Sequence, residues 1–383
     1  YCLGVSEMKF IKVNLNVLLF SLAYYPWVIA WMFSSTLLKD YLHPYAIINY
    51  WQYVGIVFLL VKFLIKHKIN ILSLITTLFF ILVAFVVSYG NGNASFVFYS
   101  IFLIFSGADQ NLEKIIRYTM ILQIVCLLIT VFSAIGGIVD NKVVISTAGN
   151  MVRMRHNLGY IFTTFTPNYF LSIVLEYIFI KKLDLSIMEL LIIAVLNIII
   201  YKLTLTRLTM FLVFFILIYL LGIKKIRYER FLLKASTVSF ILLSAVSYFL
   251  SVLYTQQNRI LNSLNSVLSE RIRLSQVGLQ TWGVNLFGTS VNWNSESINY
   301  NYIDSSYINI LVCYGLVIFV IVIMGFTLVS IRAKQVKNFP LSFVLLMWAI
   351  RATIDPQLFL IWFNPFIFYI GKSLLSYKAE EFI

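Results

Sequence analysis

The chain has 383 residues, is 61% hydrophobic and 11% charged, and carries a net charge of +14 at pH 7; its mean hydropathy is +0.91. Soluble domains carry roughly 25% charged residues, and one globular core cannot hide this much apolar surface, so a soluble protein is excluded. Three scattered histidines and three cysteines, with no CxxC pair, no zinc spacing and no GxxxxGK(S/T) or GxGxxG loop, argue against a disulfide framework, a His/Cys metal centre and nucleotide hydrolysis.

The first residue is Tyr, whereas "MKFIKVNLNVLLF" from Met8 reads as a natural start, so Tyr1 to Glu7 are taken as an upstream extension. The first apolar stretch lacks a small-residue cleavage site and is not read as a removable signal. An uncharged run of about 20 residues can cross a bilayer as a helix. Such runs are expected at 15–33, 45–61, 69–89, 95–108, 115–139 and 159–180, and again at 187–203, 208–223, 231–253, 306–331, 339–354 and 358–376. The expectation is an all-α polytopic integral membrane protein, a single membrane domain over 1–383 with about twelve spans (about ten to thirteen).

Placing the N-terminus inside puts 19 of the 29 basic residues in the cytoplasm, together with both termini, as the positive-inside rule requires. The others are Lys39, Lys142, Arg153, Arg155, Lys202, Arg207, Arg259, Arg271, Arg273 and Arg351. Arginine predominates on this outer side, and its planar fork suits bidentate grip on phosphate; snorkelling to the interface is the alternative. Two outer loops exceed what connection requires, 140–158 and 254–305, the second a large one before the last three helices. In the second, Ile260, Leu261, Leu264, Val267, Leu268 and Ile272 recur at helical spacing, which predicts a helix on the membrane surface or packed over the bundle. Its tail, "GTSVNWNSESINYNYID", is rich in Asn, Ser and Tyr.

Four stretches carry candidate chemistry. In "LTLTRLTMFL", Arg207 lies among threonines at the start of a helix, a place that favours anions; a capping turn is the alternative. In "VRMRHNLGYIFTTFTPNYF", two arginines precede a span whose Pro167 and Asn168 predict a kink and a polar group at depth. "SERIRLSQVGL" contributes Arg271 and Arg273. "IDSSYINILVCYGL" places Asp304 and Tyr307 at the outer end of a span, and "RATIDPQ" places Arg351 four residues before Asp355, a helix-face pair at that spacing. Glu176 is the one mid-span carboxylate.

This set resembles the Wzy-type polysaccharide polymerases of the O-antigen ligase/polymerase superfamily. The resemblance rests on a short fourth span followed by "DQNLEKIIRY", on Arg155, Gly159, Pro167 and Asn168, and on Thr206-Arg207. It extends to "SER" ending in Arg271 and to "GTS" followed by "DSSYINILVCYGL". "SER" stands where the family shows Ser-Gly-Arg, and Asp304 stands where ligases carry a His. The resemblance implies a glycosyltransferase needing neither metal, nucleotide nor other cofactor. It would polymerise undecaprenyl-diphosphate-linked oligosaccharide units at the outer face of the bacterial cytoplasmic membrane, by inverting transfer. Its implied partners are that glycolipid, membrane lipid, a chain-length regulator and a flippase, with no nucleic acid. Asp304, Arg207 and Arg271 would be catalytic, and Arg155, Arg273, Tyr307, Asn168 and Arg351 would bind substrate. An O-antigen ligase and a flippase or transporter of lipid-linked sugars are the alternatives.

Overall fold

The structure is a computed structural model that describes residues 14–65, 71–91, 94–148, 151–223, 229–294 and 300–375. The expected start at Met8, both termini and the basic residues Lys9, Lys12, Lys66, Lys68, Lys224, Lys225, Arg227 and Lys378 lie outside the described residues.

The first half runs α1 (Leu15–Ser34), α2 (Lys39–Leu42), α3 (Pro44–Ile65), α4 (Ile71–Asn91), α5 (Ala94–Ser106) and α6 (Leu112–Ile135), then β1 (Val143–Ala148) and β2 (Met151–His156). The second half runs α7 (Phe165–Ile180), α8 (Ile187–Thr204), α9 (Arg207–Ile223), α10 (Glu229–Leu253), α11 (Arg259–Val267) and α12 (Arg271–Trp282). It closes with α13 (Ser306–Cys313), α14 (Gly315–Gln335), α15 (Phe339–Arg351), a 3-10 turn at Pro365–Ile367 and α16 (Phe368–Leu375).

Among the described residues six helices are long and apolar enough to cross a membrane, and shorter apolar helices accompany them. The chain is therefore an all-α membrane protein in its architecture, apart from one small sheet. Helices dominate because a backbone without water must satisfy its polar groups within its own segment. An aromatic core holds the bundle together: Trp27 packs edge-on against Tyr99 (4.9 Å between ring centres) and Trp362 (6.0 Å), while Tyr169 stacks on Phe363 at 4.2 Å.

Several sequence expectations are corrected. Within the outer loop expected at 140–158, β1 and β2 pair antiparallel with Val144 opposite Arg155. The run expected to span from residue 159 becomes helical only at Phe165, after turns. Pro167 is consequently the third residue of α7, where no intrahelical donor is lost, so it makes no kink. The expected outer-loop helix is two helices, α11 and α12, divided where Ser269 (φ 55°) and Glu270 (φ 67°) adopt left-handed backbone. The expected span from 358 is turn until Pro365.

The tenth expected span is broken between α13 and α14. Gly315 has φ +86° at the break, and its missing Cβ lets residues 285–289 dock by backbone bonds. Leu316 N donates to Asn285 O (2.9 Å), Val317 N to Leu286 O (3.1 Å) and Thr289 N to Val312 O (3.0 Å). A Cβ on Gly315 would run into the backbone of Leu286 and Gly288.

Candidate functional site

The site forms where several turns meet at one end of the bundle. Thr36 bridges Tyr160 there, and Ser306 N donates to Ala352 O (2.8 Å), so the turn after α1, the hairpin and the α12–α13 and α15 turns share this end. Lys62 with Asp109 (2.7 Å) and Lys181 with Glu189 (2.8 Å) mark the opposite one.

The hairpin supplies Arg155. Its Nε donates to Thr204 O (3.0 Å) and Nη2 donates to Thr206 Oγ1 (3.2 Å). The α8–α9 turn can accept because Leu205 (φ 50°) ends α8 in a left-handed cap, and terminal carbonyls lack intrahelical donors.

The left-handed Ser269–Glu270 turn delivers Arg271 as the first residue of α12, buried against the turn after α15. Its Nε donates to Ile354 O at 2.5 Å and Nη1 to Leu268 O at 3.3 Å. The same guanidinium lies 3.6 Å from Asp304 Oδ2 and 3.9 Å from Asp355 Oδ1. Asp355 Oδ2 is in turn 3.6 Å from Arg351 Nε. The result is a sign-alternating chain, Asp304, Arg271, Asp355, Arg351, running inward from the bundle end.

The residues after Asp304 are structural staples. Ser305 Oγ donates to Ala352 O (3.4 Å), Ser306 Oγ to Asp355 O (2.5 Å) and the Tyr307 hydroxyl to Ala349 O (2.8 Å). They fix the start of α13 to the end of α15 and leave the Asp304 side chain, 25% exposed, as the member turned to the site. Tyr307 is fully buried, with its hydroxyl committed to the protein.

Arg351 is also fully buried. It donates to Ser172 Oγ (2.8 Å), Asn168 O (2.9 Å) and Gln357 Oε1, and lies over the Trp348 ring at 4.4 Å. The pairing with Asp355 expected on one helix face forms instead across the end of α15, since the helix stops at Arg351. Asn168 Oδ1 accepts from Thr209 Oγ1 at 3.2 Å, tying α9 to α7. Ser172 and Glu176 extend that face of α7, and Glu176 Oε1 accepts from Gln123 Nε2 at 2.8 Å.

Electrostatics single out the outermost members. Burial, then the like charges of Arg271 and Arg153, hold Arg155 below the usual guanidinium value, against Tyr300 and Asp304. Burial pushes the Asp304 carboxyl above the ordinary carboxylate range; Arg271 and Arg155 oppose this and Asp355 adds to it. An incoming anion would relieve the crowding of Arg155 and Arg271.

Beside these charges stands an aromatic wall that composition hinted at without placing. Trp293 stacks on Tyr302 (5.1 Å), Tyr302 meets Tyr300 (5.3 Å) and Phe162 (5.3 Å), and Trp282 meets Trp293 (6.0 Å). Two candidate arginines take no part in this chain of ion pairs. Arg207, the first residue of α9, is exposed and enters no ion pair among the described residues. Arg273 pairs with Glu270 at 2.9 Å on the exposed face of α12. Among the described residues no group of three or more His, Cys, Asp or Glu could hold a metal ion.

The chain matches no protein-family model, no curated protein and no solved structure.

Proposed function

We propose that the chain is a glycan transferase that polymerises lipid-diphosphate-linked oligosaccharide units at the outer face of a bacterial cytoplasmic membrane. The observation that carries this reading is the crowding of Arg155 and Arg271 around Asp304 beside the Trp293–Tyr302 wall. Two guanidiniums match a diphosphate, aromatic faces match sugar rings, and a carboxylate between them matches an acceptor hydroxyl.

In the proposed reaction the acceptor hydroxyl oxygen attacks the anomeric carbon, the bond to the lipid diphosphate breaks, and the proton passes to Asp304. The protein's main contribution is fixed positive charge where negative charge develops on the leaving diphosphate, with Arg271 and Arg155 as its source and Arg207 as an outer arm. Arg351 and Asn168 position these groups from behind, and Tyr307 staples the start of α13 to the end of α15. The lysine-rich opposite end fits the cytoplasmic side, with about twelve crossings. A flippase that delivers the lipid-linked units and a chain-length regulator are the proposed partners.

Complementation tests the reading in the source bacterium lacking this gene. The native chain restores long surface polysaccharide; Arg155→Lys and Arg271→Lys chains, present at normal level, leave single repeat units. Normal ladders from both variants would overturn it. Loss of all surface units would indicate a flippase, and chains retained on their lipid carrier would indicate a ligase.

A further inference from the structure

A second recess lies between α3, α4 and α5, away from the charged cluster. It has a volume of about 270 Å³ and is lined by Gln52, Tyr53, Ile56, Phe85, Ser88, Tyr89 and Phe98. At roughly 30 Å³ per water it is far larger than a packing gap, and close to the lower limit of small-ligand pockets.

Its polar groups are what set it apart. Gln52 is 4% exposed and Ser88 is 2% exposed, yet Gln52 Oε1 and Ser88 Oγ have no hydrogen-bond partner among the described residues. Both residues line the recess. A buried amide and a buried hydroxyl without partners are costly anywhere and more so against hydrocarbon. Of the neighbouring polar groups, the Tyr99 hydroxyl donates to Ala23 O at 2.7 Å and Trp51 Nε1 to Leu22 O at 2.9 Å; Trp27 Nε1 and Ser100 Oγ also lack partners among the described residues, but neither residue lines the recess. The unmet pair therefore defines a place where an external group completes the bonding.

Three features define that group. It must donate, to meet the amide oxygen, and a hydroxyl does so while also accepting the serine's own hydrogen. It must be uncharged, because no charged side chain among the described residues lines the recess. It must carry an apolar body, because Phe85, Tyr53 and Tyr89 at the rim are 63%, 65% and 86% exposed, facing what would be lipid.

We propose that this recess binds an uncharged lipid alcohol, its hydroxyl between Gln52 and Ser88 and its chain leaving past Phe85. The proposal does not rest on the glycan-transfer reading; it needs only the membrane location.

Photoaffinity labelling of the full chain in phosphatidylcholine vesicles tests it, using a diazirine-bearing diacylglycerol as probe and a diazirine phosphatidic acid as control. The diacylglycerol is expected to label peptides containing Gln52–Ile56 or Phe85–Tyr89 at least tenfold more than the phosphatidic acid. Unlabelled diacylglycerol should compete and unlabelled phosphatidic acid should not. Gln52→Leu with Ser88→Ala should lower the labelling at least fivefold while the protein remains monodisperse. Equal labelling by both probes, or failure of unlabelled diacylglycerol to compete on the native chain, overturns the proposal. The competition arm needs no variant, so misfolding of the double variant cannot hide the answer.

Discussion

Ser306 Oγ donates to the backbone carbonyl of Asp355 at 2.5 Å and accepts from Leu358 N at 3.0 Å. This contact joins the segment bearing Asp304 to the turn bearing Asp355. Arg271 is therefore flanked by two carboxylates held in one rigid piece, and the distance between them does not depend on Arg271 itself.

That arrangement separates staple from chemistry within four consecutive residues. Tyr307→Phe removes one buried hydrogen bond, worth about 1 kcal/mol. It is expected to lower the melting temperature in detergent while glycan ladders keep their length. Asp304→Asn keeps shape and fold, and is expected to abolish polymer without lowering the melting temperature. The paired measurement is thermal unfolding of each purified variant beside its in vivo ladder.

Arg155 bonds Thr206 and Arg207 follows it in sequence, but the two arginines have different surroundings. Arg155 is anchored to Thr204 and Thr206, whereas Arg207 is exposed. Removing one fixed cationic donor from a transition state costs roughly 100- to 1,000-fold in rate. Arg155→Ala is expected to lose about that much activity, and Arg207→Ala to stay within about threefold, since an exposed charge is screened by solvent. Transfer rates with reconstituted protein and lipid-linked substrate check the ranking.

Gly315 makes a prediction about the fold alone. A non-glycine residue held in left-handed backbone costs about 1–3 kcal/mol, and a Cβ here also meets the backbone of Leu286 and Gly288. Gly315→Ala is expected to destabilise the chain more than that range and to free the 285–289 segment. Thermal unfolding measures the first effect, and faster proteolysis within 285–289 the second.

The helices were legible because uncharged runs in lipid have one solution: among the described residues an apolar helix lies in each expected run, though it starts late at 159–180 and 358–376 and is broken at 306–331. The breaks were not, because they depend on left-handed residues that composition does not mark: Leu205, Ser269 and Glu270 are ordinary residue types in an uncommon conformation. The hairpin had a signal, the β-branched "VVIST" before Ala148, Gly149 and Asn150, which loop length alone concealed. In the site, Asp304 and Arg271 were read together, and they lie 3.6 Å apart. Asp355 was read only as a helix-face partner of Arg351, since nothing local reveals that α15 ends there and that Arg271 arrives from a distant loop. The aromatic wall likewise depends on ring contacts between Phe162 and Tyr302, far apart in sequence.

The Asp304 carboxyl leads to a prediction in pH. Its pKa in the fold lies above the ordinary 3.8, burial being the largest cause. The fold therefore binds this proton more tightly than the unfolded chain does, so ionising Asp304 costs stability as pH rises from 3.8 through the raised value; below that window both states hold the proton. Activity runs the other way, because a base must be ionised to accept a proton. The acid limb of the rate profile is expected above the range of an exposed carboxylate. Asp355 is one cause that raises the pKa, whereas Arg271 and Arg155 lower it. Asp355→Asn should therefore move the acid limb to lower pH. A pH–rate profile of the native chain and this variant, with protein amount matched, decides the matter. An acid limb that stays in place would show that a group other than Asp304 sets it.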